Sequence, residues 1–519
     1  MPADTSPARS PWTAPLATAG ALTLLALFAQ GQDANWDLRN YHLYTPFALM
    51  DGRFAQDVAA GQLQTWHNPA LDFPFAWMVR AGLPGWLVSL WLALPAFVAL
   101  ALALRLMDRA WPEGRGALRT AMAGLVAVTG AAAMPTLGTT FNDAFVAAGM
   151  LAALWWVVDA QGRRGTWATW LPAGLLAGLA AGLKLTGALY CVAFIAVALV
   201  AGPWRGMPLR LLALGIGGVA GTLIAAGPWA LYLWQEHGNP LFPYFNQWFQ
   251  SPDALAQPYK DMRFVPQGMD AWLVPFHLLA ESYRYSESKL AEPRILLGLL
   301  SLAAAWFAAR RHSDPVPRML LAFAAVSFAV WVKLYGIYRY LFALELLCSV
   351  AFVAMLARWL PARAQRIGLV VAALILVGVT NRPGWGRTSF STPMVDVRFP
   401  ALPDDSLVVL GTDEPLGYAV AYLPREVPAL SLYNNFMAPD RCTRLQAEVE
   451  ARVRAHEGPF FLLREPPKAA ATTQPWQAYG LAQDGACQPV SSNLGALELC
   501  PLARALTPPA ACSWPPPGR

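Results

Sequence analysis

Eleven stretches of this chain are long and apolar enough to be read as helices crossing a bilayer, at approximately 12–30, 84–104, 118–136, 142–159, 167–183, 186–203, 209–234, 293–309, 317–333, 338–357 and 365–380. A hydrocarbon core about 30 Å thick needs about 17–25 consecutive apolar residues in a helix, and these runs meet that length. The stretch from 167 to 203 is open to two readings, one long broken helix or a pair. Composition agrees with immersion in lipid. Hydrophobic residues make up 56% of the 519 and charged residues only 13%, against roughly 25% charged in a soluble domain. So few polar groups cannot coat so much apolar surface in water, and a disordered chain needs the opposite balance.

Arginine placement sets an orientation. With the N-terminus in the cytoplasm, the short inside loops hold Arg105, Arg109, Arg115 and Arg119, then Arg163 and Arg164, Arg205 and Arg210, Arg310, Arg311 and Arg318, and Arg358, Arg363 and Arg366. Longer outside loops are poorer in positive charge, the asymmetry expected of inside and outside faces. The net charge of +6 is therefore a topological signal and not a nucleic-acid footprint. An odd span count puts the C-terminus outside. The first span reads as a retained anchor, since Gln30-Gly31-Gln32-Asp33 offers no small-x-small cleavage site after it. A bacterial inner-membrane protein is the expectation.

Residues 1–384 form the expected transmembrane domain, with external loops at about 31–83 and 235–292. After the breaker-rich Asn381-Arg382-Pro383-Gly384-Trp385-Gly386, residues 385–519 form an expected small periplasmic α/β domain. Its signals are an apolar strand at 406–411, a helical pattern at 443–456 and a strand at 459–463, then a Pro-rich extended end. Four of six cysteines, Cys442, Cys487, Cys500 and Cys512, fall there, which points to two disulfides in an oxidising compartment. Cys487 with Cys500, flanking a possible hairpin, is the first pair to expect; Cys191 and Cys348 lie within spans. Glycines at 174, 178 and 182, and at 217 and 221, make small-xxx-small faces for close helix packing. Gly215-Ile216-Gly217-Gly218 is part of that pattern, having no strand before it to make a dinucleotide loop.

The chain lacks a phosphate-binding G-x-x-x-x-G-K-[ST] loop and a G-x-S-x-G elbow. The inside loops are too short to house a nucleotide-binding domain. Any substrate must then arrive through the bilayer or from outside, and the unusual polar residues gather on the outer side. Four of six histidines, at 42, 67, 237 and 277, lie in the long outer loops. Asp33 and Asp37 follow the first span, with Tyr41 and His42 a few residues on. Asp37 is a candidate base or metal ligand, set against a helix-capping role before 38–50. His42 reads as a partner group rather than a base. Phe141-Asn142-Asp143 opens the fourth span, where a capping reading competes. If Asp143 meets Asp37, the two carboxylates are a ligand set for a divalent cation such as Mg or Mn. Lys184, in Gly182-Leu183-Lys184-Leu185-Thr186-Gly187, is costly between apolar spans unless it meets an anion or snorkels. Arg339, in Tyr338-Arg339-Tyr340, suits phosphate. Glu345, further into that helix, reads as a buried partner for a cation. Carboxylates that activate a hydroxyl, beside cations that stabilise a leaving phosphate, suit transfer from a lipid-phosphate sugar.

These residues, in this order and on this side, resemble the GT-C superfamily of polyprenyl-phosphate-sugar-dependent glycosyltransferases, which includes protein O-mannosyltransferases and aminoarabinose transferases of lipid A. The resemblance covers about residues 12–380. Asp37, Tyr41-His42 and the segment to Asp51-Gly52-Arg53 are similar to the family's acidic residue, Tyr and short helix after the first span. Asp143 is similar to a second Asp at a later span, Lys184-x-Thr186-Gly187 to a mannosyltransferase motif, and Arg339-Tyr340 to an Arg-Tyr element near the lipid-phosphate site. Gly238-Asn239-Pro240-Leu241-Phe242-Pro243 recurs in bacterial relatives without an assigned role. Many relatives carry an adjacent acidic pair where this chain has Asp37-Leu38. The resemblance implies a polytopic helical fold, a polyprenyl-phosphate sugar donor held by Lys184, Arg339 and Tyr340, and a periplasmic acceptor met by Asp37, Tyr41 and His42. It also implies catalysis by Asp37 and Asp143. A polyprenyl-lipid flippase and an O-antigen-type polymerase are the rival readings; no internal repeat of the transporter kind is visible.

Overall fold

In the computed structural model, residues 10–113, 115–309, 314–467, 474–504 and 512 are described. Each of the eleven apolar stretches lies on helix: α1 (Thr13–Gln30), α2 (Gly85–Ala110), α3 (Ala117–Val128), α4 (Asp143–Ala160), α5 (Thr166–Leu183), α6 (Ala188–Val200), α7 (Met207–His237), α8 (Arg294–Ala309), α9 (Val316–Leu334), α10 (Phe342–Trp359) and α11 (Ala362–Val379). Length and composition qualify eight of them as able to cross a membrane; α3, α6 and α8 are shorter apolar helices. Arg310 and Arg311 lie outside the described residues, as does the Pro-rich end apart from Cys512.

The chain divides into two compact units, the first being Met1–Gln30, Leu90–Gly227 and Asp261–Trp385. In it α6 packs on α9, α8 on α10 and α4 on α5. The stretch from 167 to 203 is a pair of helices. The chain turns at a short 3-10 segment, Leu185–Gly187, and folds back so that the Cys191 thiol reaches the Ala177 carbonyl at 3.7 Å. The glycines of α5 and α7 form the expected seam. A Cβ at Gly174 would run into the Leu214 carbonyl, and one at Gly217 into the Leu171 carbonyl, so these backbones approach as only glycine permits. The other side of α7 presents Val219, Leu223 and Ile224, each more than 60% exposed. A surface of that kind is stable against acyl chains and not against water.

The stretch read as 118–136 breaks at Val128, and the cause is a buried polar cluster. Glu292, Arg294 and Glu345 are all fully buried. Glu292 accepts from the Ala131 N–H at 2.8 Å, and Glu345 from the N–H groups of Ala132 at 2.9 Å and Ala133 at 2.8 Å. The Tyr338 hydroxyl donates to Glu345 at 2.7 Å, while Arg294 pairs with Glu292 at 2.8 Å. Glu345, expected to partner a cation, therefore serves mainly as an acceptor for a backbone turn. Those three N–H groups would otherwise be orphans inside the bundle.

The second unit is Gly31–Ser89, Pro228–Lys260 and Gly386–Arg519. Its boundaries depart from the expected 385–519, because the first outer loop and half of the second pack with the tail. The core is a seven-stranded sheet of β1 (Val397–Arg398), β2 (Leu407–Leu410), β3 (Ala429–Ser431), β4 (Phe460–Arg464), β5 (Leu481–Gln483), β6 (Gln488–Ser492) and β7 (Leu497–Arg504). The order is β1-β6-β7-β4-β2-β3, with β5 also on β7. The three strands β3, β2 and β4 run parallel and the rest pair antiparallel. Leu407–Leu410 is buried throughout, as a central parallel strand requires. Helix α12 (Arg444–Ala455) connects into β4, and the Thr443 side chain caps it by accepting from the Gln446 N–H at 3.2 Å.

Loop one is bonded into this sheet. Val58 and β3 exchange backbone hydrogen bonds of 3.0 Å, and Asp57 accepts from the Ala429 N–H at 2.8 Å. Two disulfides close the unit, Cys487–Cys500 across β6 and β7, and Cys442–Cys512.

Candidate active site

Four of the expected site residues come together in the first unit. Asp143 is the first residue of α4 and Lys184 follows the last residue of α5. A carboxylate at a helix N-terminus and an ammonium at a C-terminus both complement the helix dipole, by about 0.3–1 kcal/mol each. Because α4 and α5 pack together with their ends adjacent, Lys184 Nζ reaches Asp143 Oδ1 at 2.6 Å and also donates to the Phe141 carbonyl. Lys184 therefore meets an anion and is not merely snorkelling. Asn142, just before α4, makes no side-chain capping bond, so the capping reading of this segment does not hold.

Arg339 enters from the 3-10 turn Tyr338–Leu341 that precedes α10. Its NH1 lies 3.5 Å from Asp143 Oδ2, and its guanidinium stacks over the Phe141 ring at 4.3 Å and the Tyr340 ring at 5.2 Å. Lys184 lies 5.5 Å from the same Tyr340 ring. Tyr340 is fixed in turn by the Tyr190 hydroxyl, which donates to its carbonyl at 2.7 Å. The outcome is one buried carboxylate between two cations with a net charge of +1, walled by two aromatic rings. Asp143 Oδ2 is buried and accepts no hydrogen bond among the described residues. Phe141 was not legible as part of the site; its only signal was adjacency to Asp143.

The second unit holds Asp37, Tyr41 and His42 on and beside one π-helical turn, Leu38–His42. Such turns are rare and recur at functional positions. Asp37 stands at its start in helical conformation and caps nothing with its side chain. Capping is done by Asn35, whose Oδ1 accepts from the Leu38 N–H at 2.7 Å, while Asp33 accepts from the Asn35 N–H at 2.9 Å. The capping reading of Asp37 is thereby replaced, and Asp33 is a structural group of this turn. Within the unit the turn is seated against the tail: Arg39 pairs with Glu465 at 2.8 Å, and Gly417 packs so close to the Asn40 carbonyl that a Cβ would collide with it. His42 Nδ1 meets Asp72 Oδ1 at 2.9 Å, a partner thirty residues away that sequence spacing did not reveal. The Tyr41 ring lies 4.0 Å from the His42 ring and 5.1 Å from that of His67.

A divalent ion does not fit the Asp143 carboxylate, which faces an ammonium at 2.6 Å and a guanidinium at 3.5 Å. Ligand oxygens for Mg or Mn need open lone pairs and no competing cation. One group of three metal-ligating atoms, on Cys487, Glu498 and Cys500, occurs among the described residues. Its sulfurs are joined as a disulfide.

Apolar helices fit for a bilayer, joined to a cluster of two cations and a carboxylate, define a polytopic membrane protein. Residues 70–332, just over half the sequence, match the profile of glycosyltransferase family 87, and the chain belongs to that family. Asp143 and Lys184 fall inside the matched region; Asp37, Tyr41, His42, Arg339 and Tyr340 fall outside it. Membership agrees with the resemblance drawn from the motifs. Two solved structures are similar, ArnT from Cupriavidus metallidurans bound to undecaprenyl phosphate (18% identity, TM-score 0.46) and the same protein in the apo state (17% identity, TM-score 0.45). In both comparisons 70% of this chain is covered, and it spans 62% of the ArnT chain. No curated protein matches the sequence.

Proposed function

We propose that the protein is an integral membrane glycosyltransferase that moves a sugar from a polyprenyl-phosphate carrier to an acceptor on the periplasmic side of a bacterial inner membrane. The observation that carries this reading is the convergence of Lys184 and Arg339 on Asp143. A phosphodiester-linked sugar carries one negative charge and its leaving phosphate carries two. Fixed cations that meet the second charge as it develops lower the barrier selectively. In this reading Lys184 and Arg339 hold the phosphate, Asp143 sets their geometry, and Tyr340 walls the site. Asp37 orients or deprotonates the acceptor hydroxyl, with Tyr41 and His42 beside the acceptor. Direct displacement at the anomeric carbon inverts its configuration. No step calls for a metal.

The N-terminus lies in the cytoplasm and the second unit in the periplasm. Supporting this are the arginine-rich inside loops and two disulfides, which persist in oxidising compartments. The test is a donor screen. Full-length protein in nanodiscs is incubated with undecaprenyl-phosphate hexoses and pentoses carrying radiolabelled sugar, in the presence of envelope extract as acceptor. Transfer of label with release of undecaprenyl phosphate from one donor, lost in Lys184→Met and Arg339→Met, is the expected result. Turnover of a nucleotide sugar instead would overturn the reading.

A further inference from the structure

A second group of cations lies at the other end of the membrane helices, wholly within the first unit. Trp155 stands on α4 about 18 Å along the helix axis from Asp143. The Trp12 ring, just before α1, packs edge-on against it with centroids 5.2 Å apart. The Arg105 guanidinium stacks over the same Trp12 ring at 5.0 Å. From Gly85 to Arg105, α2 rises about 30 Å, the thickness of a hydrocarbon core, so Arg105 emerges at headgroup level. Trp12 suits that level, because indole rings collect at membrane interfaces.

Arg105 is only 9% exposed, yet its guanidinium makes no hydrogen bond to a described residue. Its ion-pair partner Asp108 stands 3.8 Å off, beyond hydrogen-bond reach. Asp108 is already engaged. Its Oδ1 accepts from Arg119 Nη2 at 2.8 Å, and its carbonyl accepts from Arg115 Nη2 at 2.6 Å. Arg119 Nη1 donates to the carbonyls of Trp111 and Glu113, at 2.9 Å each. Nearby acids are paired with other arginines, Asp159 with Arg163 and Glu113 with Arg358. Arg105, Arg115 and Arg119 therefore share the single carboxylate of Asp108. Three buried N–H donors in this group, Arg105 Nε, Arg119 Nε and Trp155 Nε1, meet no acceptor among the described residues. Buried donors are rarely left so, since each costs free energy. An excess of positive charge beside unsatisfied donors matches an anion that brings acceptor oxygens.

We propose that Arg105, Arg115 and Trp12 form a binding site for the phosphate of an anionic phospholipid, in the leaflet opposite the Lys184 site. That leaflet is the cytoplasmic one in the orientation proposed above, and only its name rests on that reading. A planar guanidinium fork matches phosphate oxygens in pairs, and basic pockets between membrane helices on the cytoplasmic side suit anionic headgroups. A lipid fits better than free phosphate because an apolar track begins beside the cations. Leu16, one turn on from Trp12, is 41% exposed, and Leu24, Leu25 and Phe28 further along α1 are exposed too. An acyl chain lies along these side chains while its headgroup meets the arginines.

The test reads binding and not turnover, so absence of sugar transfer leaves it intact. Full-length protein, stripped of lipid in a neutral detergent, is titrated with phosphatidylglycerol, with phosphatidylcholine of the same short chains, and with inorganic phosphate. Binding is followed by thermal midpoint and native mass spectrometry. A saturable response to phosphatidylglycerol is expected, with phosphatidylcholine at least about tenfold weaker and none from inorganic phosphate at the same concentrations. Arg105→Gln weakens phosphatidylglycerol about tenfold. Arg115→Ala, an exposed position that folding tolerates, weakens it about threefold, and Arg205→Ala, on a separate exposed turn, leaves it unchanged. A photoreactive benzoyl-phenylalanine in place of Leu16 captures phosphatidylglycerol in preference to phosphatidylcholine, and this arm needs no arginine variant. Equal binding of the two lipids, or wild-type affinity in folded Arg105→Gln or in Arg115→Ala, overturns the proposal. A response to inorganic phosphate equal to that to lipid overturns the lipid as the source of the anion. Arg115→Cys is expected to react with an impermeant thiol reagent in inside-out membrane vesicles. Reaction only in right-side-out vesicles overturns the orientation and the leaflet named here, whatever the lipid titration shows.

Discussion

Lys184 and Asp143, 2.6 Å apart, tie the end of one membrane helix to the start of another, with the carboxylate buried and the ammonium mostly so. Removing one member of a buried pair typically costs about 3–5 kcal/mol, because the other is stranded. Asp143→Asn leaves two cations facing each other across an amide, and is expected to lower the thermal midpoint in detergent more than Lys184→Met does. A double-mutant cycle on the two positions should return a coupling of about 1–3 kcal/mol. Additive effects would show that the pair does not act as a unit.

Glu345→Gln preserves size but presents an amide N–H₂ to groups that all donate, the N–H of Ala132, the N–H of Ala133 and the Tyr338 hydroxyl. Each buried donor left unsatisfied costs about 1–3 kcal/mol. The variant should lose folded material on fluorescence-detected gel filtration after mild heating, under conditions where the wild-type protein survives.

The glycine seam gives a steric prediction. Gly178→Val places a branched side chain where even a Cβ meets the Gly218 carbonyl. It should abolish recovery of monodisperse protein. Gly215→Ala, where a Cβ has open space, should be recovered at wild-type yield.

Asp253 gives a dependence on pH. Burial by itself pushes its carboxyl up, but hydrogen bonds and charge from His237 at 2.8 Å and Arg444 at 2.6 Å overcome burial and hold it below the ordinary range. Folding therefore favours the ionised form. The stabilisation is full above the unfolded-state value of about 3.9 and is lost as pH falls through the lower folded value. The gap in thermal midpoint between wild type and Asp253→Asn should shrink as pH falls below about 4.

The two disulfides should differ in weight. Cys442–Cys512 closes a separation of 70 residues and Cys487–Cys500 one of 13. By loop-closure entropy these correspond to about 4 and about 3 kcal/mol. Cys442→Ser should lower the midpoint of the second unit more than Cys487→Ser.

Helices were legible because the apolar run length that lipid demands is a one-dimensional signal; eight of the eleven runs fell on helices long enough to cross a membrane and three on shorter ones. The tail was legible where a strand is buried on both faces, as in Leu407–Leu410, or where a helical pattern runs, as at 443–456; the Thr443 cap was not read. Asp143, Lys184 and Arg339 stood out because charge beside apolar sequence is expensive, and Tyr340 by its place next to Arg339. The partnerships were not legible. Nothing in the spacing brings Glu345 to Ala132 or Asp72 to His42, since such pairings depend on which helix ends and loops fold together. The break after Val128 was missed for the same reason: the groups that stabilise the turn lie more than 150 residues away along the chain.

The second unit is assembled from three stretches far apart in the chain, and that arrangement has a timetable. Asp57 must wait for the Ala429 N–H, 372 residues later. At about 5–20 residues per second the delay is roughly 20–75 s. Throughout it the Val58 edge and Tyr44, Phe47 and Trp66 stand uncovered by their eventual neighbours in the tail. A chain built this way depends on slow aggregation of the exposed loop, and an early stop codon within the tail strands the loop permanently.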